Sequence, residues 1–190
     1  MEPAPPAIGR AIDISNYSGR VRLSQFQAIR ARGYDLCIVG TQDMGIARTQ
    51  IARALQAGFN VHAYAYLYWA KPVEPQIDEA LAIIAGYPVR RLWLDVEDDS
   101  SGVLMVNTLR RAVDRCGTMP RGIYTSASKW QEIMGDSAAF SGEPLWDAWY
   151  GHEQIGDFAV YGGWSRCEMR QYQGTTTLEG VLCDLNVYRK

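Results

Sequence analysis

Arg91-Leu92-Trp93-Leu94-Asp95-Val96-Glu97-Asp98-Asp99 is an apolar run that passes without a break into acids. Leu92 to Asp95 suit a buried strand. Successive side chains of a strand point to opposite faces, so Asp95 and Glu97 share one face with Trp93. At about 3.3 Å of rise per residue, their Cα atoms lie roughly 6.6 Å apart. Two carboxylates held that close repel when both are ionised, which raises the pKa of one of them. A proton donor beside an anion is the equipment for breaking a glycosidic bond. The other reading, acids that close a strand and cap the next helix, suits Asp98 and Asp99, which lead into Ser100 and Ser101. It suits Asp95 less, because that residue follows three apolar ones directly.

Outward from this strand the chain alternates. Upstream, Arg10–Ser15, Tyr34–Thr41 and Asn60–Tyr68 read as strands, the last with Tyr64, Tyr66 and Tyr68 on one face. The run Leu36–Val39 is nearly all apolar, as in a strand covered on both faces. Helices are expected over Leu23–Arg32, Ile46–Ala57 and Gln76–Ala85, the first two closed by Gly33 and Gly58. Downstream come a helix over Gly102–Cys116, a strand Gly122–Thr125 and a helical turn around Ala127–Ile133. Beyond it the rhythm changes to short strands with Gly-rich connections at Leu145–Tyr150, Phe158–Tyr161, Glu168–Gln173 and Cys183–Tyr188. Alternation of strand and helix implies a parallel α/β sheet. The 190 residues are few for a complete (β/α) barrel of about 250. The fold expected is therefore an irregular, flattened, TIM-like barrel whose last third is closed by antiparallel strands. A single domain spans residues 1–190, with residues 1–8 a flexible lead.

Hydrophobic residues make up 47% of the chain and charged ones 21%, the balance of a folded domain. A net charge of −2 with no long basic block argues against nucleic acid as a partner. No apolar run approaches the ~20 residues of a membrane span. The lead Met1–Ala7 is Pro-rich and offers no signal-peptide core, so an extracellular protein would stand here in mature form or leave its cell by lysis. Cys37, Cys116, Cys167 and Cys183 have neither metal spacing nor a close redox pair. Cys37 and Cys116 read as buried small residues, while Cys167 and Cys183 could be bridged if their strands pair. His62 and His152 are the only histidines, which leaves little for a zinc site or a Ser-His-Asp triad. Six Trp and eleven Tyr exceed what a core needs, and such rings stack on sugars.

In (β/α) barrels the reacting groups gather at the C-terminal ends of the strands. Asp13, Asp95 and Glu97 reach that rim, and Asp184 joins them only if the last strand is antiparallel. An acid in an apolar strand is unfavourable unless it is paired, hydrogen-bonded or faces a cleft. One shared cleft explains all four.

The ordered series of motifs resembles the glycoside hydrolase family 25 lysozymes, the Chalaropsis-type N-acetylmuramidases. Ala11-Ile12-Asp13-Ile14-Ser15-Asn16-Tyr17-Ser18-Gly19 opens the match, Ala63-Tyr64-Ala65-Tyr66 continues it, and Leu92-Trp93-Leu94-Asp95-Val96-Glu97 follows almost unaltered. Gly122-Ile123-Tyr124-Thr125, Leu145-Trp146-Asp147-Ala148-Trp149-Tyr150, Gln171-Tyr172 and Asp184-Leu185-Asn186-Val187-Tyr188 complete it. The resemblance implies hydrolysis of the β-1,4 bond between N-acetylmuramic acid and N-acetylglucosamine in peptidoglycan. It makes Glu97 the general acid and Asp95 the group that orients the substrate's 2-acetamido nucleophile. Asp13 and Asp184 become cleft acids that tune this pair. Tyr64, Tyr66, Tyr124, Trp149 and Gln171 fall on the sugar-contact strands.

Three positions depart from the family pattern. Val39-Gly40-Thr41-Gln42-Asp43 stands where many members have Lys-Ala-Thr-Glu-Gly, so a cleft acid is missing or displaced to Asp43. Ala65 replaces a histidine and Ala11 a glycine. No metal or cofactor is expected, and the protein is expected to act as a monomer on bacterial cell-wall peptidoglycan. Competing readings are a silent glycan-binding module on the same barrel, a hydrolase of another N-acetylated glycan such as chitin, and a metal-dependent hydrolase.

Overall fold

The structure, a computed structural model, describes residues 7–190. The flexible lead expected over residues 1–8 falls, up to residue 6, outside the described residues, and Ile8 already belongs to a strand. Eight strands close into one barrel in chain order. They are β1 Ile8–Ile14, β2 Tyr34–Gly40, β3 Asn60–Tyr66, β4 Val89–Asp95, β5 Arg121–Thr125, β6 Leu145–Ala148, β7 Met169–Leu178 and β8 Val181–Arg189. Neighbours from β1 to β7 pair in parallel; β8 alone runs antiparallel, against both β7 and β1.

Five α-helices connect the first six strands: α1 Leu23–Ala31, α2 Met44–Gln56, α3 Val73–Ile84, α4 Val106–Arg115 and α5 Ala127–Met134. No α-helix lies between β6 and β7 or between β7 and β8. Omitting these helices is how so short a chain closes the ring. The strand expected at Phe158–Tyr161 is not formed; only an isolated bridge joins Tyr161 to Trp164. That segment is held by side chains instead, with the Tyr161 hydroxyl donating to Asp147 at 2.9 Å and Arg170 donating to the Gln154 carbonyl at 2.7 Å.

Local chemistry shifted some helix ends. α3 begins at Val73, before the expected Gln76, because Pro75 falls in the first turn, where no N–H is needed. α4 begins at Val106 rather than Gly102. There Asp98 accepts from Ser100 N–H and the Ser101 hydroxyl donates to the Val103 carbonyl, turns that compete with helix. Neither Asp98 nor Asp99 caps α4: Asp98 also accepts the Trp69 N–H at 2.8 Å, and Asp99 pairs with Lys129. All four cysteines are buried free thiols, Cys167 and Cys183 included. Among the described residues, no helix is long and apolar enough to cross a membrane.

Alternation divides each strand between two cores. On β4, Leu92, Leu94 and Val96 face the helices, whereas Trp93 joins Ala11, Leu36, Ile38, Tyr124, Trp146 and Met169 inside the barrel. A narrow barrel holds such rings only where neighbouring strands yield space. A Cβ on Gly122 would lie 2.6 Å from Trp93, and one on Gly40 would lie 2.7 Å from the Tyr64 ring. The packed interior separates two open mouths, and the acids sit at one of them.

Candidate functional site

Asp13 is the penultimate residue of β1, and its register partner across the antiparallel pair is Asp184 of β8. The reversed direction of β8 is what carries Asp184 to the same mouth. Asp95 ends β4 between Tyr66 on β3 and Tyr124 on β5. Glu97 follows two residues later on the same face, and its carboxyl hydrogen-bonds that of Asp95. Asp13 and Asp95 are buried, 7% and 4% exposed, while Glu97 and Asp184 are half-buried. All four acids expected from sequence therefore converge, although they come from the beginning, middle and end of the chain.

A hydrogen-bonded chain holds them. Trp146 donates its indole N–H to Asn186 at 2.8 Å, and Asn186 donates its amide to Asp13 Oδ2 at 2.7 Å. Gln171 Nε2 donates to Asp13 Oδ2 at 3.0 Å and to Asp184 Oδ2 at 3.2 Å. Its Oε1 accepts from the hydroxyls of Tyr124 at 2.8 Å and Tyr150 at 2.9 Å. Both N–H groups and both lone pairs of that amide are thus used, which fixes its orientation. Thr175 N–H donates to the other oxygen of Asp184.

Among the described residues, no cation pairs with the cluster. Lys129, the one that acts on Glu97 through space, is itself paired with Asp99 and Glu132. Burial is accordingly the first cause of every carboxyl shift here. It raises Asp13 to about 7, with Asp184 adding to the rise and the Asn186 and Gln171 bonds opposing it. Burial and then Glu97 push Asp95 well above the carboxylate range. Glu97 is raised by burial, against which its bond to Asp95 and the charge of Lys129 work. Asp184 is raised by burial and eased by Thr175. Asp95 and Glu97 can hydrogen-bond to each other only if a proton lies between them, so they titrate as a pair. Asp95, the deeper carboxyl, is the member held further above the carboxylate range.

The five aromatic and amide positions expected at the sugar are treated unevenly. Tyr64 lines a recess of about 250 Å³ together with Asp13, Asp184 and Tyr17. Tyr66 lines a neighbouring one of about 280 Å³ with Gln42, Tyr68 and Lys71, its ring 4.7 Å from that of Tyr68. Tyr124 and Gln171 are buried, and the bonds just described engage them fully. They tie the acids together through their side chains. Trp149 points away from the interior; its ring lies 4.8 Å from the Arg170 guanidinium and 4.1 Å from His152. Tyr150, in the turn just past the end of β6, reaches the cluster instead through its hydroxyl.

Asn186 and Tyr150 were missed from sequence. Asn186 was legible in principle, two residues from Asp184 on one face of a strand. The displaced acid Asp43 does not enter the cleft: it caps α2, accepting the Ile46 N–H at 2.8 Å. Gln42 stands beside Tyr64 in its place.

The family described as "Lys-1: Lysozyme-like protein 1" matches residues 6–172. "Probable GH family 25 lysozyme 4" of Dictyostelium discoideum is 31% identical over 195 residues, covering 93% of this chain and 89% of the relative. "Probable GH family 25 lysozyme 3" of the same organism is 32% identical over 198 residues, 94% of this chain but 40% of the relative, so the chain spans less than half that protein's length. Among solved structures, a family GH25 lysozyme from Aspergillus fumigatus superposes with a TM-score of 0.78 at 18% identity, covering 97% of this chain and 95% of that one. At that identity the likeness speaks for the barrel alone.

Proposed function

Because this chain belongs to the glycoside hydrolase family 25 lysozymes, we propose that it hydrolyses the β-1,4 bond between N-acetylmuramic acid and N-acetylglucosamine in peptidoglycan, with Glu97 as general acid and Asp95 assisting. The observation that carries the proposal is the convergence of Asp13, Asp95, Glu97 and Asp184 on one mouth without a cation among them. Four carboxyls so placed cannot all ionise, and a retained proton is what a leaving sugar oxygen requires.

The roles follow from depth and exposure. Glu97 is the more exposed member of the pair and meets the glycosidic oxygen. An acetamido N–H arriving at Asp95 stabilises that carboxyl as an anion, which sends the shared proton onto Glu97. Glu97 then protonates the leaving oxygen as the C1–O bond breaks. The acetamido carbonyl oxygen closes on C1 as internal nucleophile, and the positive charge it acquires faces Asp95. Glu97, now a carboxylate, takes a proton from water as that water opens the ring at C1. Asp95 and Glu97 are neighbours that act on each other's titration. The substrate-assisted route, with retention at C1, is part of the proposal and is tested by the anomer first released.

The test is release of reducing ends from purified peptidoglycan, with chitin oligomers in parallel. Glu97→Gln should lower turnover by about 10²–10⁴-fold while the folded circular-dichroism spectrum is kept. Wild type that releases nothing from peptidoglycan overturns the proposal. Binding of fragments without turnover, unchanged in Glu97→Gln, points to a glycan-binding module. Turnover of chitin alone reassigns the substrate.

A further inference from the structure

A cavity of about 500 Å³ opens at the opposite mouth of the barrel. Its inner wall is Trp93, and its sides carry Asn60 and His62 from β3 and Arg91 from β4. The Arg91 guanidinium lies 5.1 Å from the Trp93 ring, so one face is covered and the N–H edge is left over. Of the described arginines that are buried or half-buried, Arg30, Arg53, Arg121, Arg170 and Arg189 all donate to carbonyls or carboxylates. Arg91 alone among them makes no hydrogen bond or ion pair to a described residue. The carboxylates that act on it through space are Glu168 and Glu143, and these are paired with Arg166 and Arg121. Its N–H groups open onto the cavity rather than onto a protein acceptor, so they are free to meet one that enters.

Two further donors face the same space. His62 Nδ1 accepts the Trp93 indole N–H at 3.2 Å, so the ring hydrogen sits on Nε2. Burial and the charges of Arg91 and Arg90 hold that imidazole neutral, pushed down to about 3. The Asn60 amide makes no hydrogen bond to a described residue, and it shares the inward face of β3 with His62. The lining carries Arg90, Arg91, Arg189 and Lys190 against Asp35 and Glu168, in a chain whose net charge is −2. Lys190 already neutralises Asp35.

We propose that this mouth is a binding site for a small oxyanion-bearing molecule, a carboxylate or a phosphate. Arg91 grips it by the N–H edge, and the His62 Nε2–H and Asn60 amide complete the cradle. A guanidinium edge matches the paired oxygens of either group. The site is independent of the acids, from which the packed rings of Trp93 and Trp146 separate it.

The experiment is a titration of the full chain with inorganic phosphate and with citrate, followed by calorimetry and amide NMR, against sodium chloride of equal ionic strength. Saturable binding of either anion with shifts at Asn60, His62 and Arg91 is expected, and which one binds identifies the source. Arg91→Gln should weaken binding by about tenfold or more, and Asn60→Ala should weaken it without touching the guanidinium. Arg20→Gln, which changes an exposed arginine elsewhere, should bind as wild type. Turnover of peptidoglycan should be the same in all of them. No saturable binding of either anion, or equal binding by wild type and Arg91→Gln, overturns the assignment. Shifts confined to the residues around Asp13 and Glu97 overturn it as well.

Discussion

Asp13→Asn replaces a buried acid by its neutral isostere, and the structure says what that should do to stability. Asp13 Oδ2 accepts from Asn186 and Gln171, and the Oδ1 of an asparagine keeps both bonds. The like-charge opposition between Asp13 and Asp184, its register partner, is removed with the carboxylate. Folding raises Asp13 from an ordinary 3.8 to about 7, so the native protein holds this proton to higher pH than the unfolded chain. Native stability from this group is therefore fullest below the unfolded value and is lost as pH climbs through about 7. At 1.36 kcal/mol per pH unit, the loss amounts to about 4 kcal/mol by pH 8 and under about 1 kcal/mol at pH 4. Asparagine escapes it. Urea unfolding followed by tryptophan fluorescence should thus find wild type and variant nearly alike at pH 4. By pH 8 the variant should be about 3–4 kcal/mol more stable. The same substitution should impair turnover, a trade of stability for a charged site. A stability difference that does not change between pH 4 and pH 8 would refute the account of Asp13 as a buried acid destabilised by ionisation.

Gln171→Leu keeps the volume and removes the amide, leaving the buried Tyr124 hydroxyl without an acceptor and Asp184 without one of its donors. A loss of about 2–4 kcal/mol is expected in urea unfolding, with kcat falling more than KM changes. Arg170→Met strands Asp147 in a site where the pair is only 0% and 4% exposed, and should cost about 3–5 kcal/mol of unfolding free energy. The double variant Arg170→Met with Asp147→Leu should recover most of it, and no recovery would count against the pair's burial as the cause. The pH profile of kcat/KM should be bell-shaped, because activity needs one proton on the Asp95–Glu97 pair. Both members are raised by burial, so the alkaline limb should lie above the ordinary glutamate range. A rate that keeps rising into alkaline pH would contradict that assignment.

Strand identity was legible because it is written locally. The apolar run at Leu36–Val39, the alternation at Trp93, Asp95 and Glu97, and the glycines after two helices depend only on neighbours in the chain. For the same reason Asp13, Asp95 and Glu97 could be set at strand ends from sequence, whereas the place of Asp184 hung on the direction of the last strand. Sequence could not separate a true strand from an apolar stretch at Phe158–Tyr161, where the absent partner strand is replaced by the side chains of Asp147, Arg170 and Tyr161. Nor could it choose between Trp149 and Tyr150, since that depends on where β6 stops alternating and its loop begins.

What the sequence determined by itself was the kind of element and the face each acid occupies, since both follow from backbone periodicity. The tertiary structure decided the rest: that β8 runs backwards and so sets Asp184 against Asp13, that Gln171 spends its whole amide on acids and tyrosines, and that Arg91 goes unmatched at the far mouth. Those are contacts between residues more than a hundred positions apart or across several strands. They exist only once the ring has closed in one register, and no local pattern encodes that register.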